Sequence, residues 1–413
     1  MYLLLAPVFR KLLRPARLLC CLAAAAALLP IWAADAPAPA PFRIRGVAYP
    51  GRSAPMPATP CLYARDLPLI ALMGANTVRT YGLLPEGDRT FAAVLDSTGL
   101  GWLAGFPLDE FYDPRQPIAA ERARILDTFR KYALRFRGER RLIGYVFGEE
   151  VTEGYDRKFA GAPSDFYSLF AEAAAILREI EPARTPGLAT AVGDPGEMAN
   201  EVPGLSFWCW NAHSRTIPEA GKPSRPVLLS EDDGLGADLE PSGGLLGGVY
   251  ANFTGAGETG IFRSAPIGLA GLDTLTARDV YYRLAGLWRG TFPQSWTEKE
   301  APRLAAPNGT ASPGALARLL GTALVSAAVP YADESWPYHL AGACLCVAGA
   351  PARLSFVARR GVIAQIPAAV APGPHPLVFY RAGQASNLTE IRISEYPAVT
   401  FAGPVLEAKL DPR

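Results

Sequence analysis

Histidine and cysteine are scarce in this chain, and their scarcity narrows the chemistry before any motif is read. Only three histidines occur in 413 residues, His213, His339 and His375, so a metal centre or a Ser-His-Asp triad has few candidates. No CxxC pair and no His/Cys cluster with metal spacing is present, and no metal or cofactor is expected. Beyond Cys20 and Cys21, the cysteines are Cys61, Cys209, Cys344 and Cys346, too scattered for a disulfide scaffold. Cys344 and Cys346 share one face of an expected strand, too constrained to assume that they pair with each other, and Cys61 with Cys209 is one open alternative. Charge of one sign is lacking as well. A net charge of +1 argues against a nucleic-acid footprint or general attraction to an acidic membrane, so a neutral or locally recognised substrate is expected.

What is present begins with the leader. Arg10, Lys11, Arg14 and Arg17 precede "LLCCLAAAAALLPIWAADA". A basic region, a short apolar run and small residues make a secretory signal over 1–34, and export to a secreted, periplasmic or surface location is expected. An uncleaved anchor is the alternative, because the apolar run approaches the roughly 17-residue minimum for a span. Residues 35–41, with "APAPAP", read as a stiff linker.

From Phe42 onward, strand-like runs alternate with helical patterns. "FRIRGVAYPG", "NTVRTYG", "LGWLAGFPL", "LIGYVFG", "PGLATAVG", "LSFWCWNAH" and "RPVLLSEDD" read as strands, most of them separated by amphipathic helices, as βαβ units require. So many units favour an α/β class and a closed (β/α)8 TIM barrel over 42–303. Two segments compete for the last strand. "GGVYANFTG" follows the seventh strand closely, whereas the helix "TARDVYYRLAGLWRG" followed by "TFPQSWTE" makes a full unit and is preferred. Residues 304–413 carry short β runs broken by Gly and Pro, the pattern of a small all-β sandwich. Pieces such as "VAGAPARLSFV" and "VIAQIPAAVAPGPHPL" resemble the Ig-like, IPT/TIG-related domain of secreted bacterial proteins. The resemblance implies a structural role or contact with the cell surface or another protein.

Two expected strands end in acid: "YVFGEE", with Glu149 and Glu150 on the fourth, and "VLLSEDD", with Glu231 on the seventh. The C-terminal ends of barrel strands form the working face. Two carboxylates converging there are the minimum equipment for glycoside hydrolysis, one a proton donor and the other an ionised nucleophile or base.

In these residues the chain resembles glycoside hydrolase clan A, and especially the fungal β-1,3-glucanosyltransferases. Their "GNEV" looks like Gly148-Glu149-Glu150-Val151, their "kPvfFSEyG" like the segment from Arg225 to Gly234, and their "CkrDiPlLkelGtNtiRvY" like "CLYARDLPLIALMGANTVRTY". The resemblance implies Glu150 as general acid/base and Glu231 as nucleophile in a retaining mechanism. Arg79 would lie beneath the nucleophile and hold it ionised. Tyr49 and Tyr81 would line the mouth, and Trp102, Trp208, Trp210 and Trp296 would offer faces to sugar rings. Three departures stand out: Glu149 replaces the Asn that precedes the acid and holds a sugar hydroxyl, His213 with Asn211 beside it replaces a supporting Tyr, and Asp232 replaces an aromatic.

The sequence therefore predicts a secreted β-glycosidase or transglycosylase acting on a neutral β-glucan-type oligo- or polysaccharide. A carbohydrate-binding or adhesive surface protein without catalysis is the rival reading.

Overall fold

The computed structural model describes residues 43–51, 56–57, 59–86, 89–108, 116–152, 163–183, 185–211, 223–232, 245–254, 260–268, 272–289, 301–333 and 335–395. The expected leader and linker lie outside them. From Ile44 onward the chain forms one compact unit.

Eight parallel strands close into a barrel in sequence order: β1 (Ile44–Ala48), β2 (Thr77–Arg79), β3 (Gly101–Phe106), β4 (Leu142–Glu149), β5 (Gly187–Val192), β6 (Phe207–Trp210), β7 (Val227–Asp232) and β8 (Leu245–Tyr250). Four helices follow the first four strands: α1 (Cys61–Leu72), α2 (Thr90–Thr98), α3 (Ile118–Arg135) and α4 (Pro163–Ile180). This is the architecture of a TIM barrel.

Closure corrects one expectation. The last strand is "LLGGVY", which pairs with β7 on one side and β1 on the other. The helical pattern does form α5 (Asp279–Arg289), but it comes after β8 and after an antiparallel hairpin of β9 (Phe262–Pro266) and β10 (Asp273–Ala277). "TFPQSWTE" lies outside the described residues. Glycine permits the tight join: Gly247 has φ +126°, and a Cβ there would run into the Ile44 carbonyl.

The pleat sorts side chains into two sets. Leu103, Val146, Ala189, Ala191, Phe207, Cys209, Leu228 and Val249 fill the lumen as one cluster. Trp102, Phe106, Tyr145, Phe147, Trp208, Trp210 and Leu229 belong to the larger cluster packed with the surrounding helices.

A ten-stranded sheet follows, beginning at β11 (Arg303–Leu304). It wraps a core that includes Leu345, Leu354, Val362, Leu377 and Phe379. Strands β15 (Ala343–Val347) and β18 (Gly373–Arg381) are buried on both faces over much of their length. Leu345, Val347 and Phe379 point into the sheet's own core, whereas Cys344, Cys346, Val378 and Tyr380 join the barrel's cluster. That two-sided burial explains why "ACLCV" shows no polar alternation. The attachment is covalent: Cys61 at the start of α1 is bonded to Cys346 of β15, 285 residues away. Cys209 and Cys344 remain free and buried.

Candidate active site

The tip of β4 is where the sequence places its first acidic pair, and the backbone there departs from a regular strand. The pairing of β4 with β5 shifts register between Val146 and Glu149. Gly148 (φ +81°) and Glu150 (φ +48°) both adopt left-handed conformations. In an undistorted strand Glu149 and Glu150 would face opposite sides. The irregularity re-aims the tip, as bulges near functional sites do, and both side chains reach the same neighbour.

That neighbour is Asn211, directly after β6 and fully buried. Its Nδ2 donates to Glu149 Oε1 at 2.7 Å and to Glu150 Oε1 at 2.8 Å. The two oxygens therefore lie within about 5.5 Å of each other, the sum of the two bonds. Asn211 Oδ1 accepts from the Ser230 hydroxyl at 2.6 Å, and its backbone N–H donates to the Val192 carbonyl at 3.0 Å. Arg79, at the end of β2 and 1% exposed, ion-pairs with Glu149 through Nη2. Its Nη1 donates to the Ser230 carbonyl at 3.2 Å. The guanidinium also lies over the Tyr81 ring, 4.3 Å from its centroid.

Strands β2, β4, β6 and β7 thus meet through their C-terminal ends in one hydrogen-bonded cluster. Ser230, which sequence reading missed, is the residue immediately before Glu231 and ties that strand to Asn211. Its signal was parity: Ser230 is two residues beyond the lumen-facing Leu228, as Asn211 is two beyond Cys209. Glu231 lies on the same strand, one residue before its end at Asp232. Beneath the cluster, burial pushes the Cys209 thiol pKa up to about 12, with Glu149 adding to the rise and Arg79 opposing it. That thiol is an inert lumen filler.

The aromatic residues expected at the mouth are placed differently. Trp102 and Trp208 occupy the second position of their strands, near the opposite end of the barrel, and are completely buried. Trp102 packs edge-on against Phe91 and Phe136 and donates to Thr80 Oγ1 at 3.0 Å. Trp210 is 1% exposed and sits among the outward-facing residues. Tyr49 is buried against Tyr63, Phe91 and Phe253, and its hydroxyl donates to Asp66 at 2.8 Å. None of the four presents a free ring face, because each lies on the helix-facing side of the pleat. Tyr81 is partly exposed and remains near the cluster. His213 and Trp296 lie outside the described residues.

A cleft of about 550 Å³ opens beyond the C-terminal ends of β1 and β8. Pro50, Leu62, Phe253, Thr254 and Leu272 line it, with Arg65 at its edge. Arg65 is held by Asp66, at 2.6 Å, and by Asp273 of β10. Its guanidinium also lies 5.2 Å from the centroid of Tyr380 in the later sheet.

No family model matches the chain, and no curated protein aligns with it significantly. Solved structures do resemble it. They include Bacteroides uniformis β-glucuronidase 2 covalently bound to cyclophellitol-6-carboxylate aziridine, at 14% identity and TM-score 0.44 over 87% of this chain and 47% of that one. A glycosyl hydrolase family 2 member from Bacteroides cellulosilyticus matches at 12% identity and TM-score 0.40, over 85% and 48%. The endo-β-1,4-mannanase of Thermotoga petrophila matches at 11% identity and TM-score 0.37, over 86% and 98%. The chain spans about half the length of the β-glucuronidase.

Proposed function

We propose that this chain is a retaining β-glycosidase or transglycosylase acting on a neutral β-glucan-type oligo- or polysaccharide. The observation that carries the reading is the Asn211 cluster, which joins the strand tip bearing Glu150 to the strand that carries Glu231. Glu231 would attack the anomeric carbon while the bond to the leaving oxygen breaks and Glu150 gives that oxygen its proton. Water, or a hydroxyl of a second sugar, would then displace Glu231 as Glu150 accepts the proton of that incoming group. Export through residues 1–34 and an Ig-like character for the C-terminal sheet belong to the same proposal.

Glu150→Gln and Glu231→Gln should each lower turnover of an aryl β-glycoside or a laminarin-type oligosaccharide by at least about 10²-fold. Wild-type rates in both would end the assignment.

One observation favours a second reading. Glu149 stands where the resembling enzymes have an Asn, and it is ion-paired with Arg79. A barrel that binds glycan without cleaving it would tolerate that pairing. Firm oligosaccharide binding with no product after long incubation would select this reading over catalysis.

A further inference from the structure

A general acid must present its proton from a fixed place, and Glu150 sits on a strained strand tip that would not by itself fix it. We infer that Asn211 is a positioning residue for Glu150 rather than a contact for sugar. The inference rests on the glycosidase reading above and goes beyond it.

Complete burial keeps Asn211 from any substrate. Its amide is locked in one orientation. The two carboxyl oxygens beside it can only accept, which assigns their side to Nδ2 and leaves Oδ1 to accept from the Ser230 hydroxyl at 2.6 Å. The backbone bond to Val192 fixes the residue from the other side. An NH2 group has two hydrogens, and each is committed, one to Glu149 and one to Glu150.

The Arg79 ion pair engages Glu149, and Glu150 is the acid of the glycosidase reading. With its Oε1 accepting from Asn211, the proton it delivers is carried on Oε2. When Oε2 releases that proton to the leaving oxygen, the new carboxylate keeps the Asn211 N–H as a donor, and hydrogen bonds to ionised acceptors are the stronger kind. Asn211 thereby acts only where proton delivery matters.

The test uses two aryl β-glycosides of one laminarin-type oligosaccharide. A 2,4-dinitrophenyl group departs without protonation, whereas a phenyl group needs the acid. In Asn211→Ala, kcat/KM should fall about 10²-fold on the phenyl substrate and no more than about threefold on the dinitrophenyl one, with KM little changed. Asn211→Asp, which offers a third carboxylate in place of the donor, should lose at least as much as Asn211→Ala on the phenyl substrate. Ser230→Ala keeps Asn211 but frees its amide, and should show the same leaving-group selectivity at smaller size. It decides the matter if the Asn211 variants do not fold. Equal losses on both substrates in the folded variants would overturn the positioning role while leaving the glycosidase reading intact. A wild type that cleaves neither substrate would overturn both.

Discussion

The Arg79–Glu149 ion pair can be weighed by a double-mutant cycle of Arg79→Met, Glu149→Gln and the combination. Arg79 is enclosed and the Glu149 side chain is 22% exposed, so the pair is neither a surface bridge nor a fully buried one. Opposite charges about 4 Å apart at an effective dielectric constant of about 20 attract by roughly 4 kcal/mol. Access of water to Glu149 and the competing Asn211 donor reduce that by about half. Removing one partner of a fully buried pair costs about 3–5 kcal/mol, so Arg79→Met should cost about 3 kcal/mol here. Glu149→Gln, which keeps the hydrogen bond, should cost about 1–2 kcal/mol. The double variant should fall short of the summed losses by about 2 kcal/mol. Urea unfolding followed by tryptophan fluorescence, with lumen residues near Cys209 as hydrogen-exchange reporters, measures all four corners. A coupling below about 0.5 kcal/mol, the size of ordinary non-additivity, would show that Arg79 and Glu149 do not pair.

Three further outcomes follow from other parts of the molecule. Replacing Cys61 and Cys346 together by Ser should lower unfolding stability by about 2–4 kcal/mol, and peptide mapping without reductant should recover a Cys61–Cys346 linked fragment from the wild type. Gly247→Ala forces a Cβ toward the Ile44 carbonyl in a left-handed conformation and should cost at least about 3 kcal/mol in denaturant unfolding. His339, whose Nε2 lies 3.0 Å from Ser97 Oγ of α2, has its pKa lowered by burial to about 4. The unfolded chain then binds the proton first, so stability is full above pH 6.5 and falls as the pH drops toward 4, by at most about 1.4 kcal/mol per unit. A melting series over that range should be flatter in His339→Gln than in the wild type.

The first seven strands were legible because each is a short apolar run bounded by turn residues and followed at regular spacing by the next. The eighth was not. "LLGGVY" is glycine-rich, and the expectation that every strand is preceded by a helix favoured a longer unit downstream; closure against β1 decided otherwise. The acids at the ends of β4 and β7 were legible from position alone, since strand tips need no charge for packing. The aromatics failed on parity. Trp208 and Trp210 alternate with Cys209 and Asn211, so once the polar residue is placed in the lumen the tryptophans must face the helices. The role of Ser230 was hidden because a serine before an acid carries no signal until the partner strand is known. The disulfide was hidden for a similar reason, its two halves standing 285 residues apart.

A closed ring made from a linear chain has one join, and here it is the contact between β1 and β8. The later sheet grips both sides of it. Cys346 holds the helix that leaves β1, while Gly383 and Ala385 bond to Leu275 and Thr274 in the hairpin that leaves β8. The sheet therefore works as a buckle across the join. A pulling force applied to it would load the ring at its seam, and cutting the buckle away would leave the join to its strand pairing and the packing on either side of it.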